Sequence, residues 1–321
     1  MQRREFIGVT TGAVAGALTG SLASQAGTLA AQADAASASA TGSTAIALLQ
    51  RSIPSSGEKI PVIGLGTSGP FEVGVDPQQR APLGAVLEAF FAGDGTFIDT
   101  SPMYSTAEAV LGDLLTPTMQ ERAFVATKVW TRGEQEGVRQ MTRSRELLRR
   151  RKIDLMQVHN LLDLEVHLRT LRRWKSEGRI RYIGITHYTV ASHEALAEII
   201  RREPLDFVQF NYSATTTAAE NTLLPLCADR GVATIVNRAF DDGKIFAQLR
   251  GKPLPSWAAD IDCSSWAQVL LKYVISHSAV TCVIPATGKV ANLQDNLAAG
   301  RGRLPDEQLR RTIAATVQQT G

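Results

Sequence analysis

Short apolar runs alternate along this chain with longer segments in which apolar residues recur every three or four positions. The longer segments have the period of amphipathic helices, predicted near 80–93, 106–115, 134–150, 164–177, 190–202, 218–230, 264–277, 290–299 and 305–318. The short runs predict eight strands, at 62–66, 96–99, 123–128, 153–159, 180–186, 207–211, 232–236 and 280–284. Strands that are apolar throughout are typical of parallel sheets covered by helices.

Eight strands alternating with helices predict an α/β fold, a single (β/α)8 TIM barrel with a C-terminal helix. A doubly wound sheet is the alternative, but no G-x-G-x-x-G motif follows any of the predicted strands. Residues 45–60 predict a hairpin that turns at Ser55-Ser56-Gly57 and closes the bottom of the barrel. Residues 241–263, rich in Gly and Pro, predict a long loop, and loops of that length are usually functional.

The first forty residues have a different pattern from the rest. The pair Arg3-Arg4 precedes a weakly apolar stretch at 8–22 and then Ala/Ser-rich sequence. This layout predicts a Tat-type signal peptide and linker over 1–40, with a disordered leader as the alternative. The barrel is then expected over 41–321, the Tat machinery is an expected partner, and the protein is expected in the periplasm or secreted. The apolar stretch is too short and polar for stable membrane insertion.

Charge and cysteine content exclude several classes of protein. A formal net charge of +3 is too mild to indicate binding to nucleic acid. The three cysteines are odd in number and widely spaced, which argues against a disulfide framework. No metal site is expected, because four of the histidines lack the spacing of ligand pairs: His167, His187, His193 and His277.

Polar side chains stand at the ends of three consecutive strands. Asp99 ends the second strand, with Tyr104 in the loop beyond it, Lys128 ends the third, and His159 ends the fourth. In a barrel the carboxyl ends of all strands open onto one face, so these side chains can converge. A lysine that ends an apolar strand is costly unless it meets an acid, and Asp99 is the expected partner.

This combination predicts chemistry at a carbonyl oxygen. A phenol with a pKa near 10 is a poor proton donor unless a neighbouring ammonium, here Lys128, lowers that pKa. Asp99 would keep the ammonium charged and in place, and His159 could donate a hydrogen bond to a substrate oxygen. Because no side chain delivers hydride, a nicotinamide cofactor is implied.

At these residues the sequence resembles the aldo-keto reductase family, over nearly all of the chain after the leader. Residues 63–67 are similar to the first strand of the family, and 97–112 to its first signature. Lys128 and His159 match its other two catalytic positions. The resemblance implies an NAD(P)-dependent oxidoreductase that reduces an aldehyde, ketone or sugar carbonyl to an alcohol, or catalyses the reverse reaction.

The same resemblance assigns roles to the four strand-end residues. It implies Tyr104 as general acid, Lys128 and Asp99 as the pair that tunes it, and His159 as the residue that orients the substrate. Independently of the resemblance, an apolar substrate pocket is expected from Met103, Trp130, Asn160 and Trp257, with plain packing as the alternative for the aromatic residues.

The residues for the cofactor follow from the resemblance position by position. Thr186 and His187 stand where the family has the Ser-Asn pair that binds the nicotinamide carboxamide, and Gln209 matches its glutamine. Asn237 stands where the family often has a stacking aromatic residue. The other expected cofactor residues are Gly66, Thr67, Arg238, Phe240, Thr287, Lys289, Asp295 and Asn296.

The choice of dinucleotide and two alternative functions stay open at this stage. Asn292 replaces the arginine that binds the 2′-phosphate in the family, and this replacement makes NAD(H) the alternative. Because Lys289 is near and could compensate, NADP(H) stays the expected cofactor. One alternative function is a reductase-like regulatory protein that binds nucleotide with little turnover. Another is a barrel isomerase or aldolase that uses Lys128, which leaves Tyr104 unexplained. The sequence does not identify the substrate or the oligomeric state.

Overall fold

The computed structural model of the protein describes residues 46–319, so the predicted signal peptide and linker at 1–40 lie outside the described residues. Within 46–319, none of the helices combines the length and apolar character needed to span a bilayer. The same residues contain no cluster of three or more His, Cys, Asp or Glu side chains that could hold a metal ion.

Two short strands and an eight-stranded parallel sheet make up the β structure. The antiparallel pair is β1 (Gln50–Ser52) and β2 (Lys59–Pro61). The sheet contains β3 (Leu65–Gly66), β4 (Phe97–Asp99), β5 (Phe124–Val129), β6 (Ile153–His159), β7 (Ile180–Thr186), β8 (Phe207–Asn211), β9 (Ala233–Asn237) and β10 (Cys282–Val283), paired in chain order.

The sheet closes on itself. Ile63 forms a parallel bridge with Val283, and Gly66 forms another with Ala286. The backbone N–H of Gly64 donates to the Val283 carbonyl oxygen at 2.8 Å. These bonds join the first and last strands, which confirms the predicted (β/α)8 barrel and rules out an open doubly wound sheet.

Helices cover the outside of the barrel. They are α1 (Pro77–Ala92), α2 (Ala107–Leu114), α3 (Pro117–Arg122), α4 (Glu134–Leu147), α5 (Leu164–Ser176), α6 (His193–Arg202), α7 (Leu223–Arg230), α8 (Lys244–Gln248), α9 (Trp266–Ser276), α10 (Val290–Ala299) and the predicted C-terminal helix α11 (Glu307–Gln318). Four 3₁₀ segments lie between them, at Val190–Ser192, Ala218–Asn221, Asp241–Gly243 and Ser256–Ile261.

Two parts of the helix prediction were wrong. The sequence pattern gave no sign of α3, whose six residues are too few to show a helical period. Its start is nevertheless encoded locally, because the Thr116 hydroxyl accepts from the Met119 N–H at 3.3 Å and a proline follows the cap. Residues 241–263 are not a plain loop, since they contain α8 and two of the 3₁₀ segments.

The predicted hairpin closes the amino end of the barrel. Ile53 and Ile60, from the β1–β2 hairpin, are fully buried in one cluster with Phe97, Phe124 and Phe207. These three aromatic residues are the first residues of β4, β5 and β8. The amino end is therefore filled by apolar side chains, and the open end lies at the carboxyl termini of the strands.

A buried carboxyl group ties α2 and α4 to the strand that carries Lys128. Glu108 on α2 accepts from the Thr127 hydroxyl of β5 at 2.6 Å and from the Ser144 hydroxyl of α4 at 3.0 Å. Burial raises the pKa of Glu108 despite these two hydrogen bonds. Close packing continues at Gly112 of α2, where an added Cβ would lie 1.8 Å from a backbone oxygen of α4. Strand β5 is thus held firmly at the level of its last residues.

Candidate active site

A cavity of about 730 Å³ opens at the carboxyl ends of the barrel strands. Twelve of the residues singled out in the sequence line it: Gly66, Thr67, Asp99, Met103, Tyr104, His159, Asn160, Thr186, Gln209, Asn237, Arg238 and Phe240. The convergence expected from the strand ends therefore occurs.

Lys128 lies behind this cavity as a fully buried ion-pair partner of Asp99. Asp99 is opposite Ala126 in the β4–β5 register, and Lys128 follows two residues later on the same face. Its Nζ donates to Asp99 Oδ2 at 2.5 Å and to the Thr100 carbonyl oxygen at 2.8 Å. Burial lowers the pKa of Lys128, but the charges of Asp99 and Tyr104 and the hydrogen bonds to them together outweigh burial, so the pKa is raised overall. A charged, enclosed amine does not suit the Schiff-base chemistry of the aldolase alternative.

The second oxygen of Asp99 is also held. Its Oδ1 accepts from Gln209 Nε2 at 2.9 Å and from Gln157 Nε2 at 3.2 Å. Gln157 is a site residue that sequence reasoning missed, although its place two residues before His159 put it on the same face of β6. The carboxylate is therefore fixed by one cation and two amides.

Tyr104 lies between the buried cation and the histidine. Lys128 Nζ is 4.9 Å from the centre of its ring, and the ring meets that of His159 edge to face, with 6.1 Å between centroids. Burial raises the pKa of Tyr104, and the charge of Lys128 opposes that rise without cancelling it. Lys128 therefore lowers the pKa of this phenol, as expected, but burial has the larger effect and the pKa lies above its ordinary value.

His159 is uncharged at neutral pH. Burial, followed by the charge of Lys128, lowers its pKa to about 3. Its Nδ1 lies 3.1 Å from the hydroxyl oxygen of Ser101, a buried residue that the sequence reasoning did not select. A neutral imidazole carries one N–H and one acceptor nitrogen, so it can donate one hydrogen bond into the cavity.

The residues predicted to hold the carboxamide are already bonded to one another. Gln209 Oε1 accepts from the Thr186 hydroxyl at 3.1 Å and from Asn237 Nδ2 at 3.3 Å. Asn237 Nδ2 also donates to the His187 carbonyl oxygen at 3.2 Å. Two amide oxygens on the cavity wall, Oδ1 of Asn160 and Oδ1 of Asn237, are buried without a hydrogen-bond partner in the described part of the chain. These oxygens suit a ligand that brings N–H or O–H donors.

A second cavity of about 430 Å³ adjoins the first, and the two share Tyr188, Arg238 and Asp242. The Arg238 guanidinium lies 4.3 Å from the centre of the Tyr188 ring and 3.3 Å from the Asp242 carboxylate. Lys244 also lines the second cavity. Arg238 thus stands at the junction of the two cavities, and the second one is lined by two cations and by the carboxylates of Asp241 and Asp242.

Besides Lys128, which lies behind the first cavity, seven residues predicted for the site line neither of these two cavities: Trp130, His187, Trp257, Thr287, Lys289, Asp295 and Asn296. The Trp130 backbone is bonded in both directions to the Gln140 side chain, and its side chain is 41% exposed. His187 Nδ1 accepts from the backbone N–H groups of Tyr188 and Thr189, at 3.0 and 3.3 Å.

The C-terminal residues among these seven are held by local and helix–helix contacts. The Thr287 hydroxyl accepts from the Lys289 N–H at 3.1 Å. The Asp295 carboxylate on α10 accepts from Ser265 Oγ at 2.7 Å and from Gln268 Nε2 at 2.6 Å. Asp295 thus joins α10 to the start of α9, and its adenine contact stays a prediction.

The cavity also contains residues that the sequence reasoning did not select. They follow β3, β7, β9 and β10, namely Ser68, Pro70, Glu72, Tyr188, Ala239, Asp242, Gly243, Phe246, Ile284, Pro285 and Ala286. Most lie within a few positions of a strand end, which is the one sequence signal that could have found them.

Comparisons with known proteins agree with this geometry. Residues 62–315 match the family model described as "Aldo/keto reductase family". A relative, methylglyoxal reductase YeaE of Escherichia coli K12, is 28% identical over 268 residues, which cover 81% of this chain and 93% of that protein.

Solved structures share the fold. An aldo/keto reductase from Klebsiella pneumoniae in complex with NADP and acetate matches with a TM-score of 0.67 and 24% identity, over 82% of this chain and 92% of that one. A second Klebsiella pneumoniae aldo-keto reductase structure, in complex with NADPH, matches with a TM-score of 0.68 and 22% identity, over 85% and 95% of the two chains.

Proposed function

This chain belongs to the aldo/keto reductase family, and we propose that it interconverts a small carbonyl compound and its alcohol with a nicotinamide dinucleotide. The observation that carries the proposal is the buried Lys128–Asp99 ion pair set against Tyr104, with a neutral His159 beside it at the open end of the barrel. A cation placed next to a phenol favours chemistry in which that phenol gives up a proton.

In this mechanism Tyr104 is the general acid. Its raised pKa keeps the phenol protonated through the neutral range. As the proton moves to the carbonyl oxygen, the Lys128 ammonium, with Nζ 4.9 Å from the centre of the ring, stabilises the phenolate that forms. Asp99 holds that ammonium charged and in place through the 2.5 Å contact.

His159 orients the substrate in the proposed mechanism. The imidazole is neutral because its pKa is about 3, so it does not compete with the phenol as a proton source near neutral pH. One ring N–H can donate to the same carbonyl oxygen and fix it beside the phenol.

The residues present fit a nicotinamide dinucleotide, with NADP(H) proposed first and NAD(H) as the alternative. The two cavities adjoin at Arg238, and the first carries the amide oxygens of Asn160 and Asn237, which lack a hydrogen-bond partner among the described residues. Arg238 and Lys244 line the second cavity beside Asp241 and Asp242. Thr186, Gln209 and Asn237 would hold the nicotinamide end. When bound, the cofactor supplies or accepts the hydride.

The substrate is proposed to be a small aldehyde or ketone. The 730 Å³ cavity would have to hold both the nicotinamide end of the cofactor and the substrate, which leaves little room for a large molecule. The relative from Escherichia coli is named for reduction of methylglyoxal, a small oxoaldehyde, and such compounds are the first to assay.

The test is Tyr104→Phe. We expect NADPH-dependent reduction of methylglyoxal to fall at least about a hundredfold, because the phenolic proton is gone, while the NADPH dissociation constant changes little. Tyr182→Phe is the matched control, since the hydroxyl of this tyrosine donates to Ser56 Oγ at 2.8 Å near the amino end of the barrel. Activity retained in Tyr104→Phe would overturn the assignment. Nucleotide binding without turnover of any carbonyl in the wild type would instead support a regulatory protein.

We also propose that residues 1–40 direct export through the Tat route, on the strength of the Arg3-Arg4 pair in the sequence. Cell fractionation of the full chain tests this proposal. Replacement of both arginines by lysine is expected to retain the protein in the cytoplasm, and export of that variant would contradict the proposal.

A further inference from the structure

We infer that Ser101 is a positioning residue that fixes the tautomer of His159, so that Nε2 carries the ring proton. The inference rests on the proposed role of His159 as hydrogen-bond donor to the substrate oxygen. Ser101 follows Asp99 by two residues and precedes Tyr104 by three, so the end of β4 and the loop directly after it carry all three groups.

The hydrogen bonds around the Ser101 hydroxyl determine the direction of its own proton. Ser101 is fully buried, and its Oγ accepts from the Met103 backbone N–H at 3.2 Å. A hydroxyl has one proton to donate, and among the described residues the acceptor within reach is His159 Nδ1 at 3.1 Å. The Met103 N–H occupies one lone pair of Oγ, which favours donation of the hydroxyl proton to the ring.

Donation to Nδ1 places the single imidazole proton on Nε2. The ring is neutral, since burial and the charge of Lys128 disfavour a second proton, so the two nitrogens must divide one proton between them. If Nδ1 accepts from Ser101, Nε2 is the N–H that remains for a ligand. The reverse tautomer would present an acceptor to a carbonyl oxygen, and two acceptors cannot bond.

The groups that face the ring offer Nδ1 no competing partner. The Tyr104 ring meets the imidazole edge to face. Lys128 and His187 affect the imidazole electrostatically, by lowering its pKa. The Lys128 ammonium already donates to Asp99 and to the Thr100 carbonyl oxygen. The Ser101 hydroxyl is therefore the group that distinguishes the two nitrogens of His159.

The contact also joins two parts of the site. Asp99 anchors the start of the loop to β5 through Lys128, and Ser101 anchors the next turn to the end of β6 through His159. The general acid and the orienting residue are then held by the same short segment. A change at Ser101 should disturb orientation of the substrate while leaving the Lys128–Asp99 pair intact.

The experiment compares Ser101→Ala with Ser101→Thr, which keeps a hydroxyl. Ser144→Ala is the matched control, because Ser144 is equally buried and its hydroxyl donates to Glu108 at 3.0 Å, away from the cavity. Long-range ¹H–¹⁵N spectra of histidine-labelled protein at pH 7 report the tautomer, and the His159 signals are identified by their loss in His159→Gln.

We expect the Nε2–H tautomer alone in the wild type, in Ser101→Thr and in Ser144→Ala, and a mixture of tautomers in Ser101→Ala. The last variant should also lose about tenfold in kcat/KM, as expected for one lost hydrogen bond, with unchanged NADPH affinity. A proton on Nδ1 in the wild type, or a single Nε2–H tautomer with normal kinetics in Ser101→Ala, would overturn the inference. The spectra are recorded without substrate, so they test Ser101 even if no carbonyl proves to be reduced.

Discussion

Acidification is expected to destabilise the fold through His159, whose neutral imidazole is buried close to a cation. Its pKa in the folded protein is about 3, lowered by burial first and by the charge of Lys128 second. In the unfolded chain the value returns to about 6.5. Between these values the unfolded state binds more protons, so the free energy of unfolding falls as the pH drops through 6.5 and levels off below 3.

The magnitude follows from the two pKa values. From pH 7 to pH 4 the unfolded state gains most of a proton at this site. Single-site linkage then lowers the free energy of unfolding by about 3 kcal/mol. The pKa values of three other histidines are also lowered, by burial first: His187, His193 and His277. The raised pKa of Glu108 acts in the opposite direction, so the share of His159 must be isolated with a variant.

His159→Gln removes this titration and keeps a side chain that can donate a hydrogen bond. We expect its unfolding free energy to fall by about 3 kcal/mol less than that of the wild type between pH 7 and pH 4. Denaturant unfolding at constant ionic strength, followed by the fluorescence of the four tryptophans, measures the difference. Thr170→Ala serves as control, because the buried Thr170 hydroxyl donates to the Val166 carbonyl oxygen rather than to a titratable side chain. This variant should lose as much unfolding free energy as the wild type between pH 7 and pH 4. Equal losses in His159→Gln and the wild type would refute the reasoning.

Three further outcomes follow from contacts of named residues. Lys128→Met leaves a buried carboxylate without its cation, so the free energy of unfolding, measured by thermal unfolding, should fall by about 3–5 kcal/mol. Carbonyl reduction by this variant should fall at least about a hundredfold. Gly112→Ala should lower the melting temperature sharply, since its Cβ would lie 1.8 Å from a backbone oxygen. Gly84→Ala, in the middle of α1 where an added Cβ meets no atom within 4 Å, should instead raise the free energy of unfolding by about 0.5–1 kcal/mol. Arg238→Ala should weaken NADPH binding about tenfold or more by fluorescence titration, and Arg311→Ala, an exposed arginine on α11, should leave it unchanged.

The catalytic half of the site could be predicted because periodicity and strand ends determine it. Asp99 and His159 end their strands in the structure, and Lys128 is one residue from the end of its own. In a closed barrel those ends must meet at one face, so the backbone alone brings the side chains together. The pairing of Lys128 with Asp99 then follows from the cost of burying an unpaired ammonium.

Hydrogen bonds between distant side chains could not be predicted in the same way. Gln157 and Gln209 both point their amides at Asp99, and no pattern in the sequence distinguishes that choice from a contact with a ligand. Asp295 matched a position of the family, yet its carboxylate accepts hydrogen bonds from Ser265 and Gln268. These two residues lie at the start of α9, about thirty residues earlier in the chain. Which partner a polar side chain takes depends on packing between helices, and local patterns in the sequence do not reveal that packing.

The two halves of the cavity differ in what a ligand has to displace. On the catalytic side, His159 can donate without breaking a bond, because Ser101 occupies only Nδ1. On the cofactor side, Gln209 Oε1 is already bonded to the side chains of Thr186 and Asn237. Exchanging one such hydrogen bond for another adds little net affinity, whereas satisfying a buried acceptor that lacks a partner recovers about 1–3 kcal/mol. The amide oxygens of Asn160 and Asn237 are buried and have no partner among the described residues, so a ligand donor that reached either oxygen would gain most in this cavity.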